Sequence, residues 1–474
     1  MPGLEKNWEG VRIFRNRESL ISQDLLGTSP LLYASFGEGV LVGRTYGELF
    51  ATKLVEKKWR REALVDFLAA GTVVFPEGQT FFEGVFEVPP GHDLHISGNK
   101  ASLTLRQNLP EPREELGEEA LPLLRGELIR SLGEIPEKAG LCLSGGLDST
   151  SLAAAWATLG TPRCFLYAAS ESPDKELALE AAQALKITPF LLEAESRVSL
   201  EELEQMLKIL EIPLHIPLGP LPQFRLLRAM KNEGITTVYS GQGGDELFCG
   251  YPWHFPLAMK KLALRNPEKA EAWEALHQKS PPFGPLELRL TRRSFTRTES
   301  WVTLNDGGAC QTLGLTRQEV AERPGVRFFA ADSTSWEEAR HQGLRNRSLR
   351  YLLHYDHRLT RHFGMEGETP FLSKGMVDLV SRFKLDFLYS QGMLKYPLRQ
   401  LFPEIPEKVR FHTRKTGFWH NGPGMPDLLP SVLRMLEETK LGNLVKNPDI
   451  FPKITQAALW RFYSAGLLLE EKNI

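Results

Sequence analysis

Residues 143–150, Leu-Ser-Gly-Gly-Leu-Asp-Ser-Thr, decide the fold that we predict for this chain. The apolar segment 140–143 predicts a short buried strand, and helical periodicity predicts a helix over 149–159. Paired glycines between a strand and a helix let successive backbone N–H groups converge on an anion, and the helix N-terminus adds partial positive charge. This first glycine loop, residues 143–150, therefore predicts an anion site in an α/β domain.

The side chains of the first glycine loop indicate what it binds. Ser144, Ser149 and Thr150 can donate hydroxyl hydrogen bonds to an anion or cap the helix. Asp148 would repel phosphate unless a divalent cation lay between them, so its presence predicts Mg²⁺. The lysine of a P-loop is absent, and Cys142 replaces the first glycine of a G-x-S-x-G hydrolase elbow, so no nucleophilic serine is predicted. A structural turn with a serine cap is the alternative interpretation.

A second glycine loop, residues 239–251 (YSGQGGDELFCGY), follows a strand predicted over 236–239. Open α/β sheets bind ligands at the carboxyl ends of their strands. Asp148 and Asp245 would come from neighbouring strand ends and form a clamp for Mg²⁺ and pyrophosphate. Besides Asp148, the residues that we predict to bind the nucleotide are small or hydroxylated: Ser144, Gly145, Gly146, Ser149, Ser240, Gly241, Gly243 and Gly244.

An acidic segment with two prolines, 109–120, divides the sequence into predicted domains 1–112 and 113–474. In the first domain we predict a β-rich fold, with strands over 31–36, 39–42 and 81–88 and a helix over 60–70. In the second, strands alternate with helices, which is typical of a parallel α/β sheet. The strands predicted there are 140–143, 164–168, 190–192 and 236–239, and the helices are near 118–132, 149–159, 175–185, 200–210 and 222–231. From residue 252 onward the pattern is mainly helical, as over 349–359 and 376–383.

Composition and charge exclude several classes of protein. The 474 residues are 42% hydrophobic and 24% charged, and the net charge of −2 predicts neither a nucleic acid nor a membrane as partner. The first thirty residues contain no signal-peptide pattern. The cysteines fit neither a zinc ribbon nor a redox pair, so we expect reduced thiols in a cytoplasmic protein. The four cysteines are Cys142, Cys164, Cys249 and Cys310.

Together, the two glycine loops resemble those of the asparagine synthetase family, which contains asparagine synthetases, β-lactam synthetases and lasso-peptide macrolactam cyclases. The first loop is similar to the family's Ser-Gly-Gly-x-Asp-Ser pyrophosphate loop, and 240–251 is similar to its Ser-Gly-Glu-Gly-x-Asp-Glu-x-Phe-x-Gly-Tyr signature. Segments 352–373, 395–399 and 414–418 resemble further family motifs in the same order. The resemblance implies a parallel-sheet PP-loop ATP pyrophosphatase domain (adenine nucleotide α-hydrolase-like) with a helical C-terminal part.

The resemblance also implies a two-step reaction with ATP and Mg²⁺. ATP adenylates a substrate carboxylate and releases pyrophosphate, and an amine then attacks the acyl-adenylate to give an amide and AMP. By their places in the motifs, Lys415 is expected to stabilise the oxyanion, Lys395 to contact phosphate, and Glu366 to position and deprotonate the amine. Glu176 resembles a family acid near the nucleotide, but a first-turn glutamate is usually solvated, so we assign it no role.

The N-terminal domain departs from the family pattern. Glutamine-using members begin, after removal of Met, with a cysteine that performs the glutaminase reaction. Here Pro2 stands at that position, and the first cysteine is Cys142. Segment 23–33 resembles the middle of the family's Ntn-type glutaminase domain, and the match continues through 82–92, so we expect the opening half of that domain to be missing. We therefore expect a reduced β-rich scaffold without glutaminase activity.

Two substitutions within the motifs bear on the substrate. The family's glutamate in Ser-Gly-Glu-Gly is Gln242 here, and the arginine of Glu-x-Arg-Val-Pro is Glu368. A site that selects free aspartate needs cations for its carboxylates, so both changes argue against ordinary asparagine synthesis. They favour a larger substrate whose amine belongs to the same molecule. The basic aromatic segment 286–301 can hold a peptide or form a solvated face.

We therefore expect an enzyme that closes a macrolactam in a ribosomal precursor peptide, as lasso-peptide cyclases do, with a protease or leader-binding protein as partner. The alternatives are an ammonia-dependent asparagine synthetase and a small-molecule β-lactam or amide synthetase. A non-catalytic nucleotide-binding subunit is a further alternative, but it would be expected to have lost one of Asp148, Asp245 and Lys415.

Overall fold

The computed structural model describes residues 6–8, 10–15, 17–168, 172–194, 198–215, 219–251, 253–279, 302–303, 305–330, 333–412 and 427–470. The N-terminal part consists of short strands and two helices. The strands are β1 (Lys6–Trp8), β2 (Val11–Arg15), β3 (Glu18–Ser22), β4 (Leu32–Phe36), β5 (Gly39–Gly43), β6 (Val85–Glu87), β7 (His92–Ser97) and β8 (Lys100–Leu105), and the helices are α1 (Tyr46–Ala51) and α2 (Arg61–Ala70).

These strands form two antiparallel sheets, β1-β2-β5-β4-β6 and β3-β7-β8. Successive side chains of a strand point to opposite faces, so Val40 of β5 packs between the two sheets whereas Leu41 joins the main core. The predicted β-rich region is confirmed. The strand predicted over 81–88 is shorter, because the buried Thr80 hydroxyl accepts from the Phe82 amide and donates to the Val85 carbonyl, which folds this segment into a turn.

A five-stranded parallel sheet forms the centre of the C-terminal part. Its order is β11-β10-β9-β12-β13, and every neighbouring pair is parallel. The strands are β9 (Ala139–Cys142), β10 (Cys164–Ala168), β11 (Phe190–Glu193), β12 (Thr237–Tyr239) and β13 (Glu366–Glu368). The prediction of a parallel α/β sheet followed by a helical region is therefore confirmed.

Helices cover the sheet and continue beyond it. The first group is α3 (Leu121–Ser131), α4 (Leu147–Ala157), α5 (Pro173–Ala184), α6 (Leu200–Leu210), α7 (Pro220–Asn232), α8 (Gly244–Leu247), α9 (His254–Ala263) and α10 (Pro267–Lys279). The second group is α11 (Ala309–Thr312), α12 (Arg317–Glu322), α13 (Pro324–Phe329), α14 (Trp336–Arg345), α15 (Ser348–His362), α16 (Lys374–Val380), α17 (Leu385–Leu388), α18 (Tyr396–Leu401), α19 (Glu407–Arg410), α20 (Leu429–Glu438) and α21 (Gln456–Glu470). Across the described ranges, no helix has both the length and the apolar character needed to cross a membrane.

The N-terminal and C-terminal parts share one hydrophobic core. Phe67 of α2 and Trp460 of α21 are both fully buried in the same cluster, which also contains side chains of the central sheet. An ion pair between Asp66 and Arg323 lies at the same junction. The domain boundary at 112 and 113 stays a prediction, and the core itself continues across it.

Candidate active site

The first glycine loop connects β9 to α4 and is held in shape by its own serines. Gly145 has φ +78°, and a Cβ there would lie 2.2 Å from the Asp174 carbonyl oxygen, so this position requires glycine. The buried Ser149 hydroxyl donates to the Gly146 carbonyl at 3.1 Å and accepts from the Ser144 amide at 3.1 Å. Ser149 lies in the first turn of the eleven-residue helix α4 and therefore shapes the turn that leads into this helix.

The second glycine loop packs directly against the first. Gly243 has φ +86° and is the N-cap of the short helix α8, which carries Asp245 in its first turn. A Cβ at Gly244 would lie 2.6 Å from Asp148 Cγ, so glycine permits the close approach of the two loops. Ser240 follows β12, and its buried hydroxyl has no hydrogen-bond partner among the described residues. The site therefore contains a buried polar group whose hydrogen-bonding capacity is unused.

Lys395 joins the two loops through an ammonium between two carboxylates. Its Nζ lies 2.5 Å from Asp148 Oδ2 and 2.6 Å from Asp245 Oδ1. A Cβ at Gly250 would lie 2.0 Å from Lys395 Cε, so glycine makes room for the lysine. Burial alone would lower the pKa of Lys395, but the two carboxylates raise it above its ordinary value. The lysine therefore stays charged, and the structure brings these three predicted site residues together.

The same carboxylates suit a magnesium ion that is shared with phosphate. Mg²⁺ is usually bound through one or two carboxylates together with water and phosphate oxygens. Asp148 and Asp245 already converge on one cation, the Lys395 ammonium. Within the described part of the chain, no cluster of three or more His, Cys, Asp or Glu side chains offers a metal site made by protein alone. The donor set fits an ion that phosphate helps to hold, and metal binding at this position stays a prediction.

Arg399 links Lys395 to the chain that follows α19, a role that the sequence did not indicate. This buried side chain donates from Nε to the Leu394 carbonyl at 2.8 Å and from Nη1 to the carbonyls of Arg410 at 2.6 Å and His412 at 3.1 Å. Arg410 Nη1 returns a hydrogen bond to the Arg399 carbonyl at 2.9 Å. Burial lowers the pKa of Arg399 to about 10, so it remains cationic at neutral pH.

The candidate base Glu366 lies on the edge strand β13, separated from β9 by β12. The sequence pattern missed this strand, because Glu-Gly-Glu has no apolar residue to signal it; backbone pairing with β12 creates it. Glu366 and Glu368 alternate with Gly367 and so share one face. Partial desolvation, and then the charge of Glu366, raises the pKa of Glu368, although both side chains are exposed at the surface. The Glu368 carbonyl accepts from the Ser240 amide at 3.0 Å, which places the end of β13 beside the second glycine loop.

The candidate oxyanion residue Lys415 lies outside the described residues, as do Pro2 and segment 286–301. Their assigned roles stay predictions. The last described residue before Lys415 is His412, whose carbonyl accepts a hydrogen bond from Arg399.

Comparison with known proteins adds the family. A family model described as asparagine synthase matches residues 136–457, which is more than half of the chain. The chain belongs to the asparagine synthase family. A second model, described as a glutamine amidotransferase domain, matches residues 11–107. The resemblance inferred from the motifs is confirmed, and membership supports an ATP-dependent amide-forming ligase in general terms.

The chain is also similar to two curated fungal proteins. The chain is 27% identical to the amidase chry2 of Gibberella zeae over 295 residues and 27% identical to the amidase chyE of Penicillium rubens over 291 residues. Each match covers 55% of this chain and 41% of the relative. The chain thus spans about two fifths of the length of the curated relatives it matches.

Replacing Arg399 with lysine tests whether the three carbonyl hydrogen bonds of Arg399 stabilise the segment around Lys395 in this asparagine synthase family protein. One ammonium cannot reach three carbonyls that a guanidinium fork binds together, so Arg399→Lys should lower the free energy of unfolding by about 2–3 kcal/mol. Urea denaturation measures this change. Arg434→Lys, on the exposed surface of α20, is the matched control and should alter stability by less than about 0.5 kcal/mol. Equal stability of Arg399→Lys and wild type would contradict the bridging role.

Proposed function

We propose that this family member joins a carboxylate to an amine through an acyl-adenylate and releases AMP and pyrophosphate. The observation that carries the proposal is the buried ammonium of Lys395 between Asp148 and Asp245, next to the N-terminus of α4. A lysine, two carboxylates and a helix N-terminus suit a leaving group that is polyanionic and accompanied by a cation. Family membership supports the same class of reaction.

In the first step, a substrate carboxylate oxygen attacks the α-phosphorus of ATP, and the bond to the bridging oxygen breaks as pyrophosphate leaves. The Lys395 ammonium can exchange a carboxylate partner for a phosphate oxygen and so stabilise the departing charge. Magnesium held by Asp148 and Asp245 would neutralise further phosphate charge when bound. The Ser240 hydroxyl, buried without a partner in the described structure, is available to donate to the nucleotide.

In the second step, the amine attacks the acyl carbon, and AMP leaves as the tetrahedral intermediate collapses. Glu366, on the edge strand β13, is the group that we assign to accept the amine proton. Lys415 is assigned to the oxyanion on the strength of its motif. Both assignments extend the family resemblance to positions of this chain.

For the substrate, we propose a peptide in which the carboxylate and the amine belong to the same molecule, so that the product is a macrolactam. Glu368 supports this choice, because it borders the second glycine loop and would repel a second carboxylate of free aspartate. Besides partial desolvation, the charge of Glu366 raises the pKa of Glu368, so two carboxylates share this face of β13. Such a site favours an approaching amine over a dicarboxylate.

Product analysis tests the proposed reaction. Full-length protein is incubated with Mg-ATP and synthetic peptides that carry a free N-terminal amine and an internal Asp or Glu. We expect equal amounts of AMP and pyrophosphate and a peptide product that has lost one water. Formation of ADP and orthophosphate would exclude the adenylation chemistry.

The same assay separates the alternatives. Turnover with aspartate and ammonia, and not with peptides, would identify an ammonia-dependent asparagine synthetase. Cleavage of an amide without consumption of ATP would instead indicate amidase chemistry, the activity in the names of the two fungal relatives.

Glutamine should not serve as the nitrogen donor. The segment matched by the glutamine amidotransferase model, residues 11–107, contains no cysteine, so it offers no thiol nucleophile for glutaminase chemistry. We expect glutamate release from glutamine at the rate of a no-enzyme control, both with and without Mg-ATP. A clear excess of glutamate over that control would show that this chain, contrary to the proposal, hydrolyses glutamine.

A further inference from the structure

A continuous chain of buried polar groups connects the N-terminal domain to α15. On one face of this helix, Arg350, His354 and Arg358 follow each other at intervals of four residues, so they form a single stripe. Arg350 Nη2 lies 2.7 Å from Glu87 Oε1, and His354 Nε2 lies 2.9 Å from Glu87 Oε2. Glu87 ends β6 of the N-terminal domain and is buried. The stripe therefore holds a carboxylate from the other domain.

The protonation states of this cluster are fixed by its geometry. Burial alone would raise the pKa of Glu87, but the charge of Arg350, the hydrogen bond from His354 and the charge of Arg358 lower it to about 2. Burial lowers the pKa of His354, and its ring is neutral because Arg358 can only donate to Nδ1, so that this nitrogen carries no proton. A neutral ring that donates from Nε2 to Glu87 accepts at Nδ1, and Arg358 Nη1 lies 2.9 Å from that atom. Each hydrogen bond thus determines the next, and the cluster has one consistent arrangement.

Arg358 and the end of α15 extend the contact to α1. The Arg358 guanidinium lies 4.9 Å from the centre of the Tyr46 ring and pairs with Glu211 at 3.5 Å. Glu211 is the C-cap of α6 and accepts from the Tyr46 amide at 2.8 Å and the Gly47 amide at 2.7 Å. One turn further along α15, Arg361 pairs with Glu48. The whole stripe of α15 therefore contacts the N-terminal domain.

The opposite face of α15 contacts the candidate active site. The Tyr355 hydroxyl hydrogen-bonds Gln242, the residue between the glycines of the second loop. Asp356 Oδ1 accepts from Gln223. A Cβ at Gly367, the central residue of β13, would lie 3.6 Å from Asp356 Oδ2, so the helix packs closely on this strand. The helix ends only three residues before β13 begins at Glu366.

We propose that the N-terminal domain is a positioning element for the amine side of the active site, acting through Glu87 and α15. Glu87 fixes the stripe of α15, and α15 then fixes Gln242 and the strand that carries Glu366. The first glycine loop has its own anchors within the sheet and depends less on this contact. The proposal rests on the proposed function for the roles of Glu366 and Gln242. It gives a glutaminase-like domain a task that needs no glutaminase chemistry.

Hydrogen exchange measured by mass spectrometry on the full-length protein tests the coupling without any substrate. In Glu87→Gln, amides in α15, in Glu366–Glu368 and around Gln242 should exchange on the order of tenfold faster, while β9 and β10 keep their protection. Glu38→Gln removes an exposed ion pair of the same domain and is the matched control, expected to match wild type. Faster exchange confined to the N-terminal domain and α15, with Glu366–Glu368 unchanged, would overturn the proposal. So would a uniform rise across β9 and β10, since that would indicate general destabilisation.

Two further measurements keep the result interpretable. If Glu87→Gln fails to fold, Arg361→Gln removes only the outer pair with Glu48 and should speed exchange in the same segments to a smaller extent; no change there would contradict the coupling.

In the amide-forming assay, Glu87→Gln should lower kcat tenfold or more, with KM for ATP changed less than about twofold. A rise in KM with unchanged kcat would overturn the assignment to the amine side. Absence of AMP formation in the wild type would count against the proposed function and leave the exchange result to decide the coupling.

Discussion

The rest of the site depends on one interaction, the pairing of the Lys395 ammonium with the carboxylates of Asp148 and Asp245. Two carboxylates at neighbouring strand ends would repel each other in a buried site without a cation. The lysine supplies that cation, and the same carboxylates suit magnesium when phosphate is present. In the proposed reaction, Lys395 would exchange one of these carboxylates for a phosphate oxygen.

The backbone of the site follows from that interaction. Gly244 lets the second loop approach Asp148, and Gly250 leaves space for the lysine stem; a Cβ at either position would collide. Lys395 itself has φ +54°, an uncommon value for a residue with a side chain. Arg399 donates to a carbonyl on each side of this segment, that of Leu394 before Lys395 and that of His412 after α19. The uncommon backbone conformation of Lys395 therefore lies within a segment that the buried Arg399 side chain holds at both ends.

The sequence predicted the parts of the fold that carry a periodic apolar signal or a glycine motif. The strand at Cys164–Ala168 and the two glycine loops are of this kind, because their patterns are local. It could not predict β13, whose three residues form a strand only by pairing with β12. Nor could it predict the Glu87 cluster, since an ion pair between residues 87 and 350 depends on how two domains meet. Local motifs can be recognised in the sequence, whereas pairing between residues far apart in the chain cannot.

The two parts of the chain are coupled both by the shared hydrophobic core and by the polar stripe on α15. Glu87 and Arg358 are buried charges, and either one without its partners would lower the stability of the folded protein. Such charges are not expected where a domain contacts the rest of the protein only at its surface. The arrangement is understandable if the N-terminal domain supports the edge of the sheet where the amine is proposed to bind.

Titration calorimetry with Mg²⁺ and α,β-methylene ATP tests the central claim most directly. Asp148→Asn and Asp245→Asn should each weaken Mg-dependent binding about tenfold or more, and Lys395→Met should weaken nucleotide binding even at saturating Mg²⁺. Asp386→Asn, which removes a partly exposed ion pair with Lys269, is the control and should bind as wild type does. Wild-type affinity in all three site variants would show that the Lys395 cluster is a structural feature and that the nucleotide binds elsewhere.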